Sequence, residues 1–172
     1  SFADLPKDQW DIAKAHVTQA FASIPSTIGD AKQANTVLNW LALFGKIHTE
    51  DQKVMDFLRS EIGTTEDHKV IEILNALADR KVVQEIGRLR RIKPDVIRDH
   101  LLLSLLVSER TGNAVASSYS KTICKRILEE ATPIPHIDQL IGSLNYVELL
   151  QKLNGHSVEL LTPVISALKE FA

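Results

Sequence analysis

Between Lys81 and Pro94 the spacing of apolar residues changes, and that change constrains the fold more than any other feature of the chain. In KVVQEIGRLRRIKP, Val82 and Val83 precede Gly87, and Leu89 and Ile92 follow it. Although Leu89 and Ile92 are three apart, the adjacent Val82 and Val83 and the glycine between the two runs do not read as a sustained helical stripe. Two short apolar runs about a glycine predict a β-hairpin turning at Gly87. Pro94 ends the second strand, and its fixed φ suits the start of a helix. Lys93 before it is driven towards extended backbone.

On either side the sequence reads as helix. Trp10, Ala13, Val17, Ala20, Phe21 and Ile24 line one face, with Pro6 placed for a first turn, and IPSTIGD breaks the run. Asp30 and Gln33 have the spacing of a reciprocal cap before Ala34, Val37, Leu38, Leu41 and Phe44, with Gly45 as the stop. Thr49 and Gln52 repeat that spacing before Val54, Met55, Phe57, Leu58 and Ile62, and Gly63 ends that helix. A third helix is expected over Thr65 to Asp79. From Asp95 to Arg110 the residues are apolar nearly all round, which predicts a helix buried on most sides and central to the chain. Thr111-Gly112-Asn113 breaks it. Further helices are expected through Val115, Tyr119, Ile123 and Ile127, then from Ile137 to Leu150, and last from Thr162-Pro163 through Ile165, Leu168 and Phe171.

The expected fold class is therefore mainly α: a winged helix of three helices plus a β-hairpin, followed by a helical bundle or helical-repeat-like region. The corresponding segments are 1–29 as an N-terminal helix and linker, 30–93 as the winged helix and 94–172 as a helical domain. In this scheme Val82, Val83, Leu89 and Ile92 cover the open side of the three-helix core.

The junction GRLRRIKPDVIRDHLL resembles the strand–Pro-Asp–helix junction of prokaryotic STAND-type AAA+ ATPases, in which a winged helix follows the ATPase core and a helical region comes next. Gly87, Arg88, Leu89, Arg90, Ile92, Pro94, Asp95, Val96, Asp99, Leu101 and Leu102 carry the resemblance, and ILNALADRKVV resembles the preceding helix and strand. The sequence has no GxxxxGK[ST] loop; Gly45-Lys46 is followed by Ile47 and lacks the upstream glycine. Arg98-Asp99-His100 does not match the order of the Met-His-Asp motif of eukaryotic relatives. The resemblance thus implies a non-catalytic regulatory segment without the nucleotide-binding core, bearing no cofactor, whose partners are proteins: other domains of a parent chain or an effector.

Arg88, Arg90, Arg91 and Lys93 leave a second function open, in which the hairpin contacts phosphates as a nucleic-acid-binding wing. Against it, the same cations can pair with Asp95, Asp99 or a neighbouring acidic surface. The third helix also carries Glu66, Asp67, Glu72 and Asp79, a poor charge set for a groove lined by phosphates. The formal charge of −2 excludes a surface tuned as a whole to polyanions.

No catalytic or metal-binding residues are expected. His16, His48, His68, His100, His136 and His156 are scattered, and Asp67-His68 and Asp99-His100 are adjacent, which turns each pair to different sides of a helix. Ser117, Ser118 and Ser120 lack the glycines of a nucleophile elbow. Cys124 is the only cysteine and is expected to be packed rather than reactive. A single thiol also fits a reducing, cytoplasmic setting. The longest apolar run, Leu101 to Val107, contains Ser104 and is too short for a bilayer, so no membrane partner is expected. SFADLPKDQW has no signal-peptide pattern. Its start at Ser1 fits either a segment of a longer chain or processing.

Overall fold

The computed structural model describes residues 7–25, 30–129 and 133–170. Pro6, Phe171 and parts of the breaks after Ile24 and before Pro133 lie outside these residues, as do the side chains of Trp10 and Leu168. The described chain is mainly helical, with two small antiparallel sheets. Two compact units divide it between Leu101 and Leu102.

The first unit holds α1 (Lys7–Ala22), α2 (Ala31–Phe44), β1 (Ile47–His48), α3 (Gln52–Ile62), α4 (Lys69–Asp79), β2 (Val83–Ile86), β3 (Leu89–Ile92) and the start of α5 (Asp95–Leu106). Asp30 caps α2 as expected, its Oδ1 accepting from the Gln33 N–H at 2.7 Å. Gly45 ends that helix at φ 77, where a side chain would be strained. Its second half is buried on every side, from Trp40 through Phe44, so α2 is the central helix of this unit. Trp40 stacks on Phe44 at 5.6 Å and meets Phe57 of α3 edge-on at 4.7 Å.

Two local expectations need correction. The cap of α3 is Asp51, which accepts from the Lys53 and Val54 N–H groups. Thr49 is diverted to the hairpin, where its N–H donates to Arg88 O at 3.0 Å. The third helix starts at Lys69, not Thr65. Before it, Thr64 Oγ1 accepts from the Glu66 N–H at 3.2 Å, a local turn that competes with helix.

The hairpin stands where the periodicity changes, with Gly87 at φ 58 in its two-residue turn. Strand β1 joins it, giving a sheet in the order β1-β3-β2. Its register pairs Ile47 and Glu85 with Arg90, and Val83 with Ile92. Alternation puts Arg90 and Ile92 on one face and Leu89 and Arg91 on the other. Ile92 and Val83 are buried against the helices, and so is Arg90. Leu89 is half-buried on the opposite face, so it does not cover the core beside Ile92 as expected.

In the second unit, the helix expected to run to Arg110 stops at Leu106. Residues Val107–Arg110 (β4) and Asn113–Ala116 (β5) form a second hairpin. Thr111 and Gly112 both take positive φ, 52° and 79°, the geometry of a two-residue hairpin turn. Ser117 closes the structure at its base: its N–H donates to Leu106 O at 2.9 Å and its Oγ to Leu105 O at 2.6 Å. These bonds take up carbonyls that a helix end would leave unpaired. Ser117 also caps α6 (Ser118–Ile127) by accepting from the Ser120 N–H.

Helix α7 (Ile137–Leu153) buries Leu140, Leu144 and Val147, as its stripe predicts. Helix α8 (Thr162–Glu170) buries Val164 and exposes Ile165, which was expected on the buried stripe; the side chains of Leu168 and Phe171, also expected there, lie outside the described residues. Glu148 reaches from α7 to the residues preceding α8, where its carboxylate accepts from the Leu161 N–H at 3.1 Å and the Leu160 N–H at 3.4 Å. Among the described residues no helix is long and apolar enough to cross a membrane.

Candidate functional site

The four cations of the hairpin are brought together by β3 and its flanks, and each is engaged within the first unit. Arg88, exposed in the turn, forms an ion pair with Glu50. Arg90 Nη2 lies 3.2 Å from Glu85 Oε1, and its Nη1 donates to Gly87 O at 2.7 Å and Leu89 O at 3.2 Å. Arg91 Nε donates to Gln84 Oε1 at 2.9 Å across the strand pair. Lys93 Nζ lies 2.7 Å from Asp95 Oδ1. Of the partners expected for the four cations, Asp95 is taken by Lys93, while Glu50, Glu85 and Gln84 were not among those expected. Glu85 and Gln84 stand opposite Arg90 and Arg91 in register, so the pairing needed only the hairpin's register to be read.

The four also differ in role. Arg90 is 9% exposed, and its Nε–H is buried without a partner. It belongs to the fold, while Arg88, Arg91 and Lys93 keep access to solvent. Exposed surface pairs of this kind contribute about 0–1 kcal/mol each. They do bear on charge: Arg88, Arg90 and Lys93 face carboxylates, while Arg91 is hydrogen-bonded to the neutral Gln84 and keeps its charge.

The helix beside the hairpin is acidic at its entry. Arg59 bridges Asp56 and Asp67, and His68 lies 3.4 Å from Glu72 and 3.7 Å from Glu66. Glu66 and Asp67 stay exposed.

Two further cations work as helix caps. Arg80, just past α4, donates from Nη1 to Ala76 O at 3.0 Å and also reaches Ser23 at the end of α1. Arg98 of α5 donates from Nε to Ala42 O at 3.0 Å, and its guanidinium lies against Gly45. A cation at a helix C-terminus meets the negative end of the helix dipole. The contacts of Arg98 with Ala42 and of Arg80 with Ser23 join residues 56 and 57 apart, beyond the reach of a local sequence pattern, whereas Arg80 and Ala76 are only one helical turn apart.

Cys124 is buried, and its thiol donates to Leu160 O at 3.4 Å. Burial pushes its pKa up, which disfavours the thiolate needed for reactivity. Burial and the Lys14 charge together lower the pKa of His100. Among the described residues no group of three or more His, Cys, Asp or Glu side chains is placed to hold a metal ion.

No protein-family model, curated protein or solved structure matches the chain.

Proposed function

We propose that the chain is a non-catalytic regulatory segment that binds proteins, part of a larger STAND-type signalling ATPase. In this reading α2, α3 and α4 with the sheet β1-β3-β2 form a winged helix. The element order supports it: a strand between the first two helices pairs with the hairpin that follows the third, so one sheet closes a three-helix core. The Pro94 junction leads directly from β3 into α5. Arg98 ties that helix back to the end of α2, a contact through which a change at α5 would be felt in the core.

The observation that supports the protein-binding reading over nucleic-acid binding is that three of the hairpin's four cations face carboxylates and the fourth, Arg91, is held by Gln84. Arg88, Arg90, Arg91 and Lys93 each face Glu50, Glu85, Gln84 or Asp95, and the neighbouring helix adds exposed acids. Phosphate binding would have to break these pairs before releasing counterions.

The test is fluorescence anisotropy with a labelled DNA duplex at low and moderate salt. The proposal expects no salt-steep binding in the micromolar range. Micromolar binding with a steep salt slope, abolished by Arg88→Ala with Arg91→Ala, would replace it with a nucleic-acid-binding module. The proposal further requires a nucleotide-binding core in the same reading frame, and a full-length gene product without one would remove the ATPase kinship.

A further inference from the structure

We infer that a groove between α1 and the start of α5 is a docking site for an apolar peptide bearing carboxylates. Its floor and walls are Ile12 and Ala13 of α1 with Pro94, Val96 and Ile97, enclosing about 380 Å³. Ile12 is 67% exposed, while Ile97 across the groove is buried at 1%. Lys81 and His16 add to the lining, and among the described residues no acidic side chain contributes to it. Asp11 and Asp95 adjoin lining residues in sequence but stand outside the lining, and Asp95 is paired with Lys93.

Lys81 singles out this groove. Each hairpin cation has a partner, whereas among the described residues the Lys81 ammonium makes no ion pair or hydrogen bond. Its backbone sits at φ 61, a left-handed conformation that costs a side-chain-bearing residue and suits glycine. A strained cation with no partner among the described residues, at the rim of an apolar groove, is a combination the fold itself does not need. His16 also lines a second cavity of about 230 Å³ with Arg80, the residue before Lys81.

The exposed Ile12 wall decides the class of ligand. Small-molecule sites bury about 70–90% of their ligand. A groove with so open a wall instead accepts side chains from a segment whose backbone stays outside. Apolar residues fill the floor, and a carboxylate meets Lys81.

This inference deepens the protein-binding reading and rests on it. The probe is a short fluorescein-labelled amphipathic peptide with Leu on one face and Glu on the other, titrated by anisotropy into the whole chain. Binding is expected with Kd on the order of 10 μM. Replacing Glu by Gln in the peptide weakens it about fivefold, and replacing Glu by Lys abolishes it. Ile12→Asp, at an exposed position that folding tolerates, weakens it about tenfold. Lys81→Gly relieves the positive φ, so it leaves the thermal midpoint at or above the parent's while weakening the peptide about fivefold.

Equal affinity of the Glu peptide for parent and Lys81→Gly overturns the inference. So does equal binding of the Lys peptide, indifference to Ile12→Asp, or no binding of the Glu peptide at all. Salt-steep DNA binding would instead bring down the protein-binding reading, a result the peptide titration does not depend on.

Discussion

Arg90 offers the sharpest test of how the hairpin is held. It occupies an inward position of β3 between Ile47 and Glu85, with its Nε–H buried and unpartnered. Such an orphan donor costs about 1–3 kcal/mol. Glu85 has a side chain 43% exposed, so its attraction for Arg90 is screened and contributes at most about 1 kcal/mol. The largest favourable contribution is then the apolar stem: three buried methylenes at about 0.8 kcal/mol each, about 2.4 kcal/mol together. Arg90→Met keeps most of that stem and removes the orphan, so it should leave stability within about 1 kcal/mol of the parent. Arg90→Ala loses the stem and opens a void, and should cost about 2–3 kcal/mol. For a unit of this size that is a drop in midpoint of roughly 10 °C or more. Urea and thermal unfolding followed by Trp40 fluorescence in a Trp10→Phe background would measure both. If Met proved as damaging as Ala, the polar network would be the stabilising element and the stem argument would be wrong. The same logic governs the choice of DNA-binding variants: loss of binding in an Arg90 mutant would report the fold, whereas Arg88 and Arg91 report the surface.

Gly45→Ala is expected to destabilise the first unit by about 1–2 kcal/mol, because φ is 77 and the new Cβ would lie 3.3 Å from Arg98 Nη2. Arg98→Ala should remove the close contact but not the strain, so the double mutant would lose less than the sum of the singles, and strict additivity in urea unfolding would argue against the shared contact. His100, whose pKa burial and then Lys14 hold below its unfolded value of about 6.5, is more protonated unfolded than folded just below that pH. Its contribution to stability is therefore present above about pH 6.5 and is lost as pH falls through the folded pKa; His100→Gln should flatten that part of the urea-midpoint curve, and an unchanged slope would assign it elsewhere. Cys124 should react with a disulfide reagent on the order of a hundredfold more slowly in the native protein than in denaturant, since its buried thiol must be uncovered first; near-equal rates would contradict the packing seen around Leu160.

The parts of this fold that sequence reasoning reached are those governed by neighbours along the chain. Asp30, Gly45 and Gly63 act within a turn of their helix ends, and Gly87 sits inside the turn it creates. Periodicity located β2 and β3, yet it did not orient them, because Leu89 and Ile92 are three apart and period two sends them to opposite faces. A strict count would have put Arg90 with Ile92 and found Glu85 opposite. The second hairpin was missed for a related reason. Leucines from Leu101 to Leu106 carry the helical signal so strongly that Val107 was read as its continuation, although Thr111-Gly112 between Val107 and Val115 has the turn chemistry of a hairpin.

The groove beside Ile12 lay beyond any such count. Ile12, Lys81 and Pro94 are far apart in sequence and meet only after α1 has packed and the hairpin has closed. Composition gave Lys81 no prominence beside the arginines that follow it. Yet Arg88 and Arg90 face the carboxylates of Glu50 and Glu85 and Arg91 is held by Gln84, while the lysine is held in an unfavourable backbone conformation with no partner among the described residues. A charge available for recognition is one that folding has not already neutralised, and by that criterion the hairpin is a structural element and the lysine beside it a contact surface.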